Sequence, residues 1–262
     1  QGKSLLDIID KTSTPMGGRL LRRRIILPLK SVDEIMRRLS LIDFLNENDP
    51  LKYEICQLLK SISDLDRLMG KLAAEKISPK ELGYLRQSLI NIHKIKALLH
   101  PHAEVLAWLE PLFDLEELIK FLQNHLNEEL PVSLAKGNII KEGVSEELDR
   151  LRNLQSKGRG FLDEMCQREI ERTGITSLKI DFNNVFGYYI EVRNTHKDKV
   201  PDDWIRKQTL VNAERYITEE LKEYENQILG AEEKIGVLEA SLYRNVCSET
   251  MVYIDQIQGN SN

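Results

Sequence analysis

The sequence predicts a mainly α-helical protein, with a helical bundle and two long antiparallel helical arms that carry a small inserted antiparallel β-sheet. Over most of the 262 residues, apolar side chains recur at helical spacing. Residues 174–217 instead contain runs that alternate with the period of two expected of strands. The segments on either side of that stretch have the longest helical periodicity, so we expect the sheet to lie between two long helices.

Residues 1–144 indicate an irregular helical bundle with recognisable helix starts. Thr14 followed by Pro15, and Ser78 followed by Pro79, place a capping residue before a proline at the first helical position. Four arginines follow the first of these starts, namely Arg19, Arg22, Arg23 and Arg24. They could contact phosphate, but we favour a solvated helix face or contacts to a neighbouring domain.

The two arms have clear boundaries. Ser145 is expected to cap a helix that runs to about Thr173, with Gly174 just beyond its end. Thr218 is expected to cap the longest helix, whose apolar residues alternate in steps of three and four as in a coiled coil: Leu221, Tyr224, Ile228, Ala231, Ile235, Leu238 and Leu242. We expect this seam to pack on the 145–173 helix; dimerisation through it is the weaker alternative.

The β-rich stretch predicts two strands and a possible third. The first strand is expected around Leu178–Phe182, followed by a tight turn at Asn183-Asn184. The second covers Gly187–Val192 and is rich in aromatic and β-branched residues. The third is expected around Arg206–Val211. Three apolar residues of the second strand are expected to belong to the core rather than to stack on a ligand: Tyr188, Ile190 and Val192.

Composition excludes several classes of protein. Hydrophobic residues make up 41% and charged residues 30%, and no apolar run is long enough to span a bilayer, as expected of a soluble globular protein. The net charge of −5 means that any nucleic-acid surface must be local. Three well-separated cysteines indicate reduced thiols in the cytoplasm. Because the chain begins with neither an initiator Met nor a signal peptide, we expect a fragment of a longer protein.

Catalytic and metal-binding motifs do not stand out, so we expect neither enzyme activity nor a bound metal in this chain. The histidines lack the cysteine or carboxylate partners that would complete a metal site. Residues 183–212 do collect hydrogen-bond donors with intervening aromatic residues, which could contact a phosphate backbone without reading bases. Acidic residues in the same stretch offset much of the charge. Composition therefore leaves open whether this is a DNA contact or an ordinary polar sheet surface.

Several motifs resemble the MutS family of DNA mismatch-recognition ATPases. Thr14-Pro-Met-Gly-Gly-Arg-Leu-Leu-Arg, Asp64-Leu-Asp-Arg-Leu and Ser78-Pro-Lys-Glu-Leu are similar to the lever region of that family. Val185-Phe-Gly-Tyr-Tyr-Ile-Glu-Val and Arg206-Lys-Gln-Thr-Leu-Val-Asn-Ala-Glu-Arg-Tyr-Ile are similar to its clamp. The resemblance covers nearly the whole chain in order, and the last two motifs are long.

The resemblance implies an organisation and a role. Residues 1–144 and 218–262 would form the lever, and residues 145–217 a clamp inserted in it. The clamp would grip double-stranded DNA through its phosphate backbone, and the lever would connect it to ATPase domains outside this chain. ATP and Mg²⁺ would therefore be cofactors of the parent protein and not of this fragment. The parent would be a homodimer that binds MutL, with no membrane contact.

The family's clamp contacts suggest four candidate DNA-binding residues by matching motifs: Asn183, Tyr189, Lys207 and Asn212. The family usually has Lys where this chain has Val211, which predicts weaker or redistributed phosphate contact. Two alternatives remain open. The chain could be a structural or protein-docking helical module, or part of a MutS-like relative that acts outside mismatch repair, for example in recombination or translation quality control.

Overall fold

A computed structural model describes residues 2–183, 185 and 187–260, with the backbone alone for residues 157–159. Helices dominate, as the sequence predicts. They are α1 (Leu5–Ile9), α2 (Pro15–Ile26), α3 (Val32–Glu47), α4 (Asp49–Lys60), α5 (Leu65–Ala73), α6 (Pro79–Leu99), α7 (Leu106–Leu109), α8 (Glu116–His125), α9 (Glu146–Thr173), α10 (Glu219–Met251) and α11 (Ile254–Gly259). None of the helices in the described residues is both long and apolar enough to cross a membrane.

The predicted helix starts are confirmed by the capping contacts. The Thr14 hydroxyl accepts a hydrogen bond from the Gly17 amide at 3.0 Å, with Pro15 at the first helical position. At the start of α6, Ser78 and Glu81 form a reciprocal capping box. The Ser145 hydroxyl accepts from the Leu148 amide at 3.3 Å and begins α9. Local side-chain chemistry therefore fixes where these helices begin.

The chain divides into two compact units. The first comprises residues 1–144 and 240–262, and the second residues 145–239. In the first unit, the core is built by α5, α6 and α8, whose fully buried leucines include Leu65, Leu82, Leu85, Leu118 and Leu122. The Tyr243 hydroxyl, near the end of α10, donates to the Ile77 carbonyl at 3.0 Å in the same unit.

Within the second unit, α9 and α10 run antiparallel, as predicted. Arg152 pairs with Glu239 at 2.7 Å, whereas Arg168, later in α9, contacts Glu220 at the start of α10. Between them the Phe161 and Tyr224 rings stack with centroids 5.0 Å apart. The predicted seam of α10 faces α9 here, since Leu221, Tyr224, Ile228 and Ala231 are buried.

A four-stranded antiparallel sheet connects the two long helices in sequence. Its strands are β1 (Lys179–Asn183), β2 (Gly187–Arg193), β3 (Ile205–Thr209) and β4 (Ala213–Ile217), arranged in the order β1-β2-β4-β3. The first three correspond to the predicted strands, although β3 ends at Thr209 because residues 210–212 turn the chain. The predicted turn residue Asn184 lies outside the described residues. A 3₁₀ segment, Asn194–Lys199, follows β2.

The fourth strand, β4, is missing from the sequence prediction, which assigns two strands and a possible third within residues 174–217. Glu214 and Arg215 stand side by side in its middle, so its five residues show no apolar alternation. Pairing explains why they form a strand: β4 lies between β2 and β3 and bonds to both. The second compact unit also includes α10 as far as Glu239, beyond the expected clamp boundary at residue 217, and the assignment of clamp and lever domains stays a prediction.

Candidate nucleic-acid interface

One face of the sheet packs on a hydrophobic core. Ile190 and Val192 of β2 and Tyr216 of β4 are buried there together with Trp204 and Leu221. Tyr188 is partly buried against the same cluster, so the prediction that these β2 side chains belong to the core is confirmed. Burial and a hydrogen bond to Glu214 raise the pKa of Tyr216 to about 12, which keeps its hydroxyl protonated.

The other face of the sheet, which we call the outer face, is polar. Strand register places Lys179 opposite Glu191, Glu191 opposite Arg215, and Arg215 opposite Gln208. These four side chains form one row across all four strands, since directly paired residues point to the same side of a sheet. Two residues further along β1, Asp181 lies opposite Tyr189 on the same face.

Arg215 contacts three side chains of the outer face. Its Nε donates to Glu191 Oε2 at 3.1 Å, and its Nη1 donates to Gln208 Oε1 at 3.0 Å. Its guanidinium carbon lies 4.2 Å from the centre of the Tyr189 ring. Arg215 therefore joins β2, β4 and β3 through two hydrogen bonds and a cation–π contact.

Tyr189, one of the four predicted DNA contacts, lies beneath that guanidinium. Only 5% of the residue is exposed, and burial raises the pKa of its hydroxyl. Because Arg215 covers its ring, Tyr189 supports the outer face rather than projecting from it.

Lys207 lies at an irregularity of β3. Arg206 pairs with Tyr216 and Gln208 with Arg215, so two steps along β3 correspond to one step along β4 and Lys207 is the extra residue of a β-bulge. Its side chain is exposed and makes no ion pair among the described residues. The bulge presents this cation at the edge strand of the sheet.

Asn212 lies in the turn between β3 and β4. The backbone N–H of Asn194 donates to the backbone carbonyl of Asn212 at 3.1 Å. The side-chain Nδ2 of Asn194 donates to the backbone carbonyl of Val211 at 3.0 Å. These bonds hold the backbone of the turn against the end of β2. The side chains of both turn residues remain exposed, Val211 to 92%.

Exposed cations lie at the end of β2, in the 3₁₀ segment that follows it and on the edge strand β3. The group comprises Arg193, Lys197, Lys199 and Lys207, which we call the basic end, and in the described parts of the chain none of them forms an ion pair. Other arginines of the same unit are neutralised: Arg206 contacts Glu214 at 3.4 Å and Arg172 contacts Asp203 at 2.7 Å. Asp198 and Asp202 are exposed nearby in sequence, so the positive charge is local.

Asn183 lies at the opposite end of the sheet. It pairs with Gly187 at the start of β2, whereas Arg193 ends β2 opposite Ala213, next to Asn212. At about 3.3 Å per residue, the two ends of β2 are roughly 20 Å apart. Asn183 Oδ1 also accepts the Val185 amide at 2.7 Å, which holds the chain after β1. The structure thus places Asn212 and Asn183 at opposite ends of the sheet, with Lys207 between their levels on the edge strand β3.

The basic run near the N-terminus includes one arginine that is already paired. Arg19 donates to both Asp64 carboxylate oxygens at 2.8 Å and to Asp66 at 2.7 Å. Three neighbouring arginines are exposed: Arg22, Arg23 and Arg24. Arg19 therefore attaches α2 to the start of α5 within the first unit, a contact that the sequence expectations for this basic run do not include.

The fold is that of a helical domain with a small antiparallel sheet inserted between two long helices. Comparison with known proteins gives it a family. The family model described as MutS domain III matches residues 1–262, and the chain belongs to that family.

Curated relatives carry the name DNA mismatch repair protein MutS. Identity is 53% over 260 residues with the protein of Flavobacterium johnsoniae, covering 98% of this chain and 30% of that protein. The Christiangramia forsetii protein is 52% identical over 260 residues, with the same two coverages. The Parabacteroides distasonis protein is 50% identical over 264 residues, covering 100% of this chain and 30% of that protein. The chain therefore spans about 30% of the length of these relatives.

Proposed function

We propose that this chain is the part of a DNA mismatch repair protein that grips duplex DNA and transmits conformational change. The basic end of the sheet carries the proposal, because four exposed cations there have no carboxylate partner among the described residues. Family membership and the relatives' shared name support DNA as the anionic partner. Contacts from such cations to phosphates position a protein on DNA without reading the base sequence.

The grip should be weak for a single copy of the chain. Each phosphate contact releases counterions, so binding strength depends on the number of contacts and on salt. We expect each basic end to neutralise about two to four phosphates, which corresponds to a dissociation constant near 10⁻⁴ M or above. A net charge of −5 on the whole chain keeps the attraction local.

Transmission would use α10. This helix of 33 residues has its first part in the second compact unit and its last part in the first. At 1.5 Å per residue it extends about 50 Å. DNA contact at the sheet would bias the orientation of α10 and so the nucleotide state of the parent protein. Nucleotide would act in the reverse direction, because coupling between two sites is reciprocal.

The remaining functions are assigned to the parent protein. ATP hydrolysis with Mg²⁺ would belong to domains outside this sequence, so the chain itself would not be an enzyme. Pairing of two copies would bring two clamps around one duplex, and MutL would be a protein partner. The parent protein would act in the cytoplasm on damaged or mispaired DNA.

The test is fluorescence anisotropy of a labelled duplex titrated with the chain at two salt concentrations, with matched and mismatched DNA. Lys207→Ala and Asn212→Ala remove candidate contacts at the basic end. Lys136→Ala is the control, because it removes an exposed lysine from the first compact unit. We expect binding that ignores the mismatch, falls steeply with salt, weakens in both test variants and is unchanged in the control.

Two results would overturn the proposal. No binding at low salt, with the chain near millimolar concentration, would remove duplex DNA as its partner. Salt-insensitive binding to a protein, with no DNA binding, would favour the alternative of a protein-docking module.

A further inference from the structure

Glu191 creates an electrostatic problem for the proposed DNA contact. Its carboxylate stands on the outer face in the inner strand β2, between Asn183 at one end of the sheet and Arg193 at the other. About a third of its side chain is exposed, 33%. A carboxylate in this position would repel a phosphate backbone laid along the sheet, since like charges at short range destabilise an interface.

Arg215 removes that repulsion. Its Nε lies 3.1 Å from Glu191 Oε2, close enough for a charge-assisted hydrogen bond. Its guanidinium is itself fixed from below by the Tyr189 ring and from the side by Gln208. Only 19% of the Arg215 side chain is exposed, which makes it a poor primary contact for a phosphate.

Arg215 also acts on the β-bulge. Its bond to Gln208 holds the residue that directly follows Lys207, at the point where the register of β3 shifts. A bulge re-aims the side chain that it carries, and its geometry depends on the residues that restart the pairing. The same guanidinium therefore neutralises Glu191 and holds the residue next to Lys207.

We propose that Arg215 is a positioning residue for phosphate contact, acting by neutralising Glu191 and by holding Gln208 beside Lys207. This inference rests on the proposed DNA-binding function. It adds a residue that the motif comparison does not select and that contacts the DNA only indirectly.

The sheet offers a matched control pair. Arg206 and Glu214 also form a cross-strand ion pair between β3 and β4, at 3.4 Å. Arg206 is paired with Tyr216, so this second pair belongs to the side of the sheet that packs on the core. Arg206→Gln removes the same charge from the same sheet as Arg215→Gln, but from the other side.

The experiment measures both melting temperature and duplex affinity for each variant of the 262-residue chain. The affinity is followed by NMR titration of the labelled chain with a 16-base-pair duplex at low salt, since this detects millimolar binding. The variants are Arg215→Gln, Glu191→Gln, the double variant and Arg206→Gln. We expect Arg215→Gln to weaken binding roughly three- to tenfold, because it leaves the Glu191 carboxylate without its partner.

The decisive comparison is Glu191→Gln. This variant also breaks the ion pair, so its melting temperature should fall. Its DNA affinity should nevertheless rise, because the positive charge of Arg215 is no longer neutralised. The double variant should return to within about twofold of the wild-type affinity. Arg206→Gln should change affinity by less than Arg215→Gln.

A structural role alone would make affinity follow melting temperature in every variant, and that result would overturn the inference. The inference would also be overturned if Arg215→Gln lowers the DNA affinity and the added Glu191→Gln substitution does not restore it. Arg215 would then contact phosphate directly. If the wild-type chain does not bind the duplex at all, the proposed function fails and the inference fails with it. If the wild-type chain binds the duplex but the double variant does not regain affinity, the proposed DNA-binding function stands and only the positioning role of Arg215 is removed.

Discussion

The backbone of Gly187 and the carboxylate of Glu225 are in direct contact where β2 begins. Gly187 has a φ of +76°, and a Cβ atom there would overlap the Glu225 carboxylate. The amide of Tyr188 donates to Glu225 Oε2 at 3.4 Å. Glycine is needed for two reasons, the left-handed backbone and the close approach of α10. This contact joins the start of β2 to α10.

Gly187→Ala should therefore destabilise the second compact unit by about 1–3 kcal/mol. Urea unfolding followed by Trp204 fluorescence would measure it, since Trp204 is buried in the core beneath the sheet. The only other tryptophan, Trp108, lies in the first unit and is replaced by Phe to isolate the signal.

Gly230→Ala is the control for that experiment. Gly230 lies within α10, and a Cβ there would have nothing within 4 Å. Alanine should stabilise this helix by about 0.5–1 kcal/mol relative to glycine. Equal losses of unfolding free energy in Gly187→Ala and Gly230→Ala would show that Glu225 and the positive φ of Gly187 have no special effect.

The sequence contains the signals for the ends of the long helices but not for the arrangement of the outer face. Ser145 and Thr218 lie within three residues of the amides that they cap, so local pattern is sufficient. Tyr188 and Tyr189 are adjacent, and alternation alone places one on each face without saying which is covered. The side chain that covers Tyr189 is Arg215. Its position depends on the register of β4, a strand that lacks apolar alternation.

Partners far apart in sequence escape pattern analysis for the same reason. Arg19 looks like one member of a basic run, and the carboxylates that bind it lie 45 and 47 residues later. The turn that carries Asn212 is likewise held by Asn194, which donates to the Val211 carbonyl from 17 residues earlier. Composition identifies the cations of residues 193–207, whereas only the fold shows that Lys207 is the extra residue of a β-bulge.

Tyr189→Phe tests whether this tyrosine contacts DNA or supports Arg215. The ring remains beneath the guanidinium in the variant, so we expect duplex affinity within about twofold of wild type. Tyr189→Ala removes the ring and should reduce both affinity and melting temperature. A large affinity loss in Tyr189→Phe, with unchanged stability, would instead show that the hydroxyl binds phosphate.

The buried hydroxyl of Tyr243 should contribute to the stability of the first unit. It donates to the Ile77 carbonyl at 3.0 Å, and burial raises its pKa. Tyr243→Phe leaves that carbonyl without its donor and should cost about 1–2 kcal/mol, measured by urea unfolding with Trp108 as the probe. Tyr53→Phe is the control, because Tyr53 is 66% exposed in α4 and should change stability by less than about 0.5 kcal/mol.

Asp64 should make the first unit sensitive to acid. The Arg19 guanidinium holds the pKa of the Asp64 carboxyl below its usual range. Because the folded pKa is lowered, this stabilisation is present above the unfolded value of about 3.9 and is lost as pH falls through the folded value. Asp64→Asn retains a helix-capping side chain and removes the charge.

The expected difference in the free energy of unfolding between Asp64→Asn and wild type is about 0.5–1 kcal/mol at pH 7, discounted because Arg19 is half exposed. It should shrink towards zero as the pH is lowered to about 3 and below. Chemical unfolding at a series of pH values would measure it. A difference that does not change with pH would mean that Asn perturbs the cap and that the charge has no role.

Val211→Lys tests which end of the sheet meets the duplex. Val211 is 92% exposed, and Asn194 holds its backbone carbonyl, so a lysine side chain can project from the turn without disturbing it. Placed beside Asn212 in the turn, the new cation should add about one phosphate contact. The slope of log affinity against log salt should then steepen by about one, with a several-fold gain in affinity at low salt.

Val185→Lys is the matched control, because Val185 is 78% exposed just after β1, at the opposite end of the sheet. It adds the same charge to the same unit about 20 Å away. If the basic end binds DNA, Val211→Lys should gain more affinity than Val185→Lys. Equal gains would indicate a general effect of net charge, and a larger gain in Val185→Lys would assign the contact to the end that carries Asn183.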